Sequence, residues 1–126
     1  MFEKVVEIGL LFDFYGKLLS TKQHNVIELY YIYDLSLSEI GEQLSVSRQG
    51  VYDNLKRAEN HLYSYEEKLG LVEKFNDSHD KIKEVLDYIN NISVHIESND
   101  YSILENDIGR IKSIIIDILK NDQEVK

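Results

Sequence analysis

Six residues between positions 48 and 57 carry the most ordered polar chemistry in the chain: Arg48, Gln49, Tyr52, Asp53, Lys56 and Arg57. Their spacing puts them on the outer face of one helix, where side chains three and four apart are neighbours. On a helix lying in a major groove, Arg48 and Gln49 would reach base edges, and Lys56 or Arg57 a phosphate. The other reactive types form no comparable set. His24, His61, His79 and His95 are too far apart for a local ligand motif, and cysteine is absent. No acidic pair sits in a run that suggests an acid/base couple. There is no glycine-rich phosphate loop and no nucleophile elbow. The chain therefore reads as a binding protein, with no catalytic residue, metal or cofactor expected.

The elements that must position these six residues are legible around them. Ser36 at an N-cap and Glu39 three residues on make a reciprocal capping box, which opens a short helix ending near Leu44. Ser45-Val46-Ser47 interrupts the pattern, and Ser47 can cap a second helix. Ile40 and Leu44 face inward from the first helix, Val46 plugs the turn, and Val51 and Leu55 anchor the second. Gly41 is small enough for the second helix to cross closely over it. Two helices meeting steeply through a three- or four-residue turn need this pattern, so a helix-turn-helix is expected over 36–62. The glycine usual in such a turn is replaced by Ser45.

Helical spacing of apolar residues extends almost everywhere. A first helix is expected over 2–18, with Val6, Leu10, Phe14 and Leu18 on its apolar face. Ser20 or Thr21 caps a second, running to Tyr33 or Asp34 and too apolar all round to lie at the surface. Behind the turn, Val51, Leu55, Ala58, Leu62, Tyr65 and Leu69 alternate steps of four and three, a heptad seam more often intramolecular core than a dimer zipper. Gly70 is a C-terminal stop. The polar stretch 73–80 predicts a joint, followed by a helix over about 77–97 with Ile82, Val85, Leu86, Ile89, Ile92 and Ile96 on one face. Ser98-Asn99-Asp100 predicts a turn, and Ser102 with Glu105 a second capping box. In the last helix Ile114, Ile115 and Ile116 spread over more than half the circumference, so they cannot share one face. Such a surplus of apolar surface predicts a homodimer formed through the C-terminal half. Tyr30, Tyr31 and Tyr33 cluster on the central helix, at a core edge whose rings can also anchor a partner.

The chain has 126 residues and a net charge of −9, from 14 basic and 23 acidic side chains. Neither half is basic, which argues against strong non-specific nucleic-acid binding, since phosphate neutralisation supplies most of that affinity. There is no proline to break a helix. No apolar run reaches the roughly 18 residues of a membrane span, and the first ten residues do not read as a signal peptide. A cytoplasmic protein with no membrane partner is expected.

The helix-turn-helix resembles the promoter-reading module of sigma factors, with Val51, Leu55, Arg57-Ala58 and Leu62 closest to the extracytoplasmic-function class. Such modules usually carry further cations where this chain has Asp53 and Asn54. A wider set of segments is similar to the YlxM family: Leu11-Phe12-Asp13-Phe14-Tyr15, Leu18-Leu19-Ser20-Thr21-Lys22-Gln23, Asp34-Leu35-Ser36-Leu37-Ser38-Glu39-Ile40, Val46-Ser47-Arg48-Gln49 and Tyr65-Glu66-Glu67-Lys68-Leu69. That resemblance covers roughly residues 8–75. Gly50 stands where alanine would be expected. The family's genes commonly lie beside those of the signal recognition particle. The resemblance thus implies a regulatory protein of that pathway, working through its helix-turn-helix on the particle's protein or RNA. The alternative is a sequence-specific DNA-binding regulator. The expected fold is all-α: a sigma-factor-like helix-turn-helix bundle over 1–72 and a C-terminal helical hairpin over 73–126.

Overall fold

In the computed structural model, which describes residues 2–98 and 101–124, the chain is all-α. Helix α1 (Phe2–Tyr15) runs into a single 3₁₀ turn (Gly16–Leu18). Helix α2 (Thr21–Ile27) widens into a π turn (Glu28–Ile32). Helices α3 (Leu37–Leu44), α4 (Arg48–Leu69), α5 (Leu71–Ser98) and α6 (Tyr101–Glu124) follow. The chain divides into two compact units, Met1–Glu73 and Lys74–Lys126.

Helix boundaries follow local polar chemistry. Ser20 accepts from the Gln23 N–H and opens α2. Ser36 and Glu39 close the reciprocal capping box, at 3.1 and 3.0 Å, and open α3. Ser47 accepts from the Gly50 N–H at 3.0 Å and opens α4, and Gly70 ends it at φ 63°. Ser45 takes the left-handed conformation at φ 57°, in the place where glycine is usual.

In the first unit α4 packs against α1, α2 and α3. Val51, Leu55, Ala58 and Leu62 are buried, so the seam is intramolecular core. Ile8, Leu11, Tyr15, Leu19, Val26, Ile27 and Ile40 complete that core. Each fully buried aliphatic side chain contributes about 1.5–3 kcal/mol. Leu44 and Val46 are half-buried beside it, and Leu69, at the end of the seam, is exposed. The structure corrects the apolar face expected for α1. Val6, Phe14 and Leu18 are exposed, while Ile8, Leu11 and Tyr15 are buried. So many α1 residues are apolar that more than one stripe fits the period, and tertiary partners selected among them.

The stretch 73–80, expected as a joint, is helical: α5 starts at Leu71, directly after Gly70, and continues through it, while the division between the two units falls between Glu73 and Lys74. In the second unit the pairs Lys81–Asp117 and His95–Asp107 link α5 and α6. As one partner advances from 81 to 95, the other retreats from 117 to 107, so the helices are antiparallel. Val85, Tyr88 and Ile92 on α5 are half-buried, as are Leu104, Ile111, Ile114 and Ile118 on α6. Ile82, Leu86, Ile89 and Ile96, expected on the covered face, are exposed. Helix α6 opens at Tyr101, so Ser102 lies within its first turn rather than ahead of it. The turn expected at Ser98-Asn99-Asp100 falls on Asn99 and Asp100, which lie outside the described residues.

Candidate recognition face

The geometry between α3 and α4 depends on contacts at the turn. The Val46 N–H donates to the Gly41 carbonyl at 2.9 Å, folding the turn back on α3. A Cβ on Gly41 would lie 2.6 Å from the Val46 carbonyl oxygen, closer than real Cβ atoms come. Close crossing of the two helices therefore requires glycine there. Gly50, where alanine was expected, has a related cause: a Cβ would meet Val46 Cγ1 at 2.8 Å and Ser47 Oγ at 3.1 Å. The first turn of α4 is pressed against the residue that plugs the turn.

Of the six expected site residues, Arg48, Gln49, Tyr52, Asp53 and Arg57 are exposed or half-buried along α4, and Lys56 is half-buried beside them. Their functional groups are not equally available. Gln49 Nε2 donates to Asp53 Oδ1 at 3.0 Å, so the amide is held by a carboxylate one turn on. Lys56 Nζ lies 3.8 Å from Glu59 Oε1 and 5.6 Å from the centre of the Tyr52 ring. Arg48 and Arg57 have no ion pair among the described residues. The three cations of this face are thus two guanidiniums without ion pairs and one ammonium beside a carboxylate.

A second group was not anticipated from the sequence. Glu59 is 2% exposed, and its Oε1 lies 2.8 Å from Lys4 Nζ on α1. That hydrogen bond, against the cost of partial burial, holds the Lys4 ammonium well above the usual lysine range. Tyr31 is close by, and burial followed by the Glu59 charge pushes its phenol up. The only local signal was Glu59 beside Ala58 of the seam and three residues after Lys56. That pattern also describes an ordinary surface ion pair.

A family model, UPF0122, described as "Putative helix-turn-helix protein, YlxM / p13 like", matches residues 2–105, reaching well beyond the 8–75 that carried the resemblance. A UPF0122 protein of Acetivibrio thermocellus is 46% identical over 114 residues, spanning 90% of this chain and 97% of the relative. Another, from Geobacillus kaustophilus, is 51% identical over 89 residues, 71% of this chain and 81% of the relative. A third, from Desulforamulus reducens, is 55% identical over 83 residues, 66% and 71% respectively.

Proposed function

The chain belongs to the UPF0122 family of YlxM/p13-like helix-turn-helix proteins, and from that premise we propose that it is a cytoplasmic regulator of the signal recognition particle pathway. It acts by binding a component of that particle, its protein or its RNA, and not by catalysis. Residues 1–72 form the recognition domain, with Arg48, Gln49, Tyr52, Asp53, Lys56 and Arg57 on the contacting helix. The choice of pathway rests on the family resemblance. What disfavours duplex DNA, and favours the particle's protein over its RNA, is the local charge: Gln49 and Lys56 are engaged by Asp53 and Glu59, leaving Arg48 and Arg57 on a chain of charge −9. Two phosphate contacts correspond to a salt slope of only about 2 and weak duplex affinity.

Titrating the full chain separately with the particle's protein, the particle's RNA and duplex DNA tests this reading. Saturable binding to a particle component, weakened in Arg48→Ala and Arg57→Ala, is expected. Binding confined to DNA of one sequence, and surviving high salt, refutes it. Such a result would establish the second reading, a sequence-specific DNA-binding regulator. That reading is favoured by Arg48 in the first turn of α4, where the recognition helix of such motifs meets base edges.

The C-terminal hairpin, 73–126, supplies a homodimer interface in this proposal. The half-buried seams of α5 and α6 follow heptads, and Ile82 and Ile89 flank the α5 seam on the same side as Ile108 and Ile115 flank that of α6. Corresponding flanks of antiparallel helices adjoin, so the exposed side chains form one apolar surface suited to a second copy.

A further inference from the structure

A cavity of about 550 Å³ opens in the first unit between α1, the π turn, the start of α3 and α4. Val5, Leu35 and Leu37 supply apolar wall, and Tyr30, Tyr31 and Tyr52 supply aromatic rings. The π turn brings the first two tyrosines there: Tyr33 N–H reaches back five residues to the Glu28 carbonyl at 3.0 Å, widening the helix where Tyr30 and Tyr31 leave it. Such single wide turns are frequent at functional sites. The two rings meet edge to face at 4.9 Å.

The polar groups of the cavity are unevenly satisfied. Lys4 and Lys56 both lie near Glu59 Oε1, whereas Glu59 Oε2 is buried with no hydrogen bond of good geometry and only the Tyr31 phenol as a neighbouring donor. An unsatisfied buried carboxylate oxygen costs free energy that an incoming donor recovers. Asp34, at the other side, is exposed in the left-handed conformation at φ 58° and has no ion pair among the described residues. Asp34 without an ion pair, Glu59 held by exchangeable lysines, three aromatic rings and an apolar wall match a planar cation on an aliphatic stem. They suit a phosphate less: Lys4 and Lys56 also line the cavity, but both lie on Glu59, and Asp34 and Glu39 leave the lining net acidic.

We propose that this cavity is a docking site for an arginine side chain presented by a partner protein. Its stem lies on Val5, Leu35 and Leu37, its guanidinium plane meets the tyrosine rings, and its donors reach Asp34 and Glu59. Arginine suits the site better than lysine because its donors are spread in a plane and its face stacks on rings. Entry exchanges one cation for another. The Lys4 side chain, 45% exposed, gives way at Glu59, and the buried carboxylate remains paired throughout. This rests on the proposed binding role only in taking the partner to be a protein; the site shares Tyr52 and Lys56 with the proposed recognition face but is lined by neither Arg48 nor Arg57.

The test uses the full chain and two synthetic peptides, Leu-Leu-Arg-Leu-Leu and its twin with neutral citrulline in place of arginine. Calorimetry gives affinity, and the tyrosine ring resonances locate binding. The arginine peptide should bind saturably, shift the rings of Tyr30, Tyr31 and Tyr52, and exceed its twin by about tenfold, the worth of a charge-assisted contact. Asp34→Asn should weaken it at least about threefold with melting unchanged, because asparagine tolerates the same left-handed backbone. Lys4→Met, removing the competing cation, should tighten it while lowering the melting temperature of the free chain, because Glu59 loses its closer partner. Arg48→Ala should leave it unaltered while weakening binding to the particle component, so the two proposals fail separately. Equal affinity for both peptides, an Asp34→Asn protein that binds as well as the original, or preferential uptake of an RNA oligonucleotide at these tyrosines would overturn the proposal.

Discussion

Tyr15 and Glu66, 51 positions apart, are joined by a 2.6 Å hydrogen bond from the phenol hydroxyl to Glu66 Oε1. The same hydroxyl accepts the Leu71 N–H at 3.0 Å, while Glu66 Oε1 and Oε2 accept those of Val72 and Glu73, each at 3.0 Å. The first N–H groups of any α-helix lack partners within it. In α5 those three are satisfied by a carboxylate from the preceding helix and a tyrosine from α1, not by a capping residue of their own.

Replacing Tyr15 with Phe keeps the ring packed, at 1% exposure, and deletes only the hydroxyl. The Leu71 N–H and one Glu66 oxygen then lose their partner. A cost of about 1–3 kcal/mol is expected. Urea denaturation should show a lowered midpoint, and hydrogen exchange should accelerate at the amides of 71–73 more than elsewhere.

Acid should weaken the same joint. Burial alone would raise the Glu66 pKa, but the hydroxyl of Tyr15 and the N–H groups of Val72 and Glu73 together hold it below the usual glutamate value. A depressed folded-state pKa contributes stability that is present above the unfolded value of about 4.3 and lost as pH falls through the folded one. Glu39 is lowered in the same direction by its capping box. The melting temperature should therefore fall on acidification below about pH 4.3, and Glu66→Gln should flatten that limb. An unaltered acid limb in this variant would show that Glu66 is not part of it.

Gly41→Ala should destabilise the protein by about 1–3 kcal/mol through overpacking, because the added methyl meets backbone rather than a movable side chain. Gly9→Ala is the control. Nothing lies within 4 Å of the place its methyl would take, and alanine is the better helix former by about 1 kcal/mol. Thermal melts should move in opposite directions for the two substitutions.

Light scattering at micromolar concentration should find the full chain dimeric. Ile89→Lys and Ile108→Lys each place a charge on an exposed apolar stripe, at residues 48% and 42% exposed, so the hairpin itself has little reason to unfold. Each should shift the population to monomer with helical content retained. A wild-type monomer, or variants that remain dimeric, would move or remove the interface.

Much of the helix-turn-helix is legible in the sequence, because what specifies it is local. Ser36 with Glu39, Ser47 with Gly50 and Gly70 with Glu66 act between residues three or four apart. The seam from Val51 to Leu62 has one period and one solution. The outer face of α4 follows from the same periodicity, so its residues can be named. The state of their functional groups cannot, because Lys56 is turned toward a carboxylate whose burial depends on α1.

Taken alone, the sequence determined an all-helical chain, the helix-turn-helix with its caps, and the family. Tertiary structure decided which stripe of α1 is buried, that α5 begins at Leu71, that Glu59 is inside, and which isoleucines of the hairpin are covered. The division has a physical cause. Caps and helical period depend on neighbours along the chain. Burial of Tyr15 in place of Phe14, or of Glu59 beside Lys4, depends on partners 51 and 55 positions away, brought together only when the helices pack.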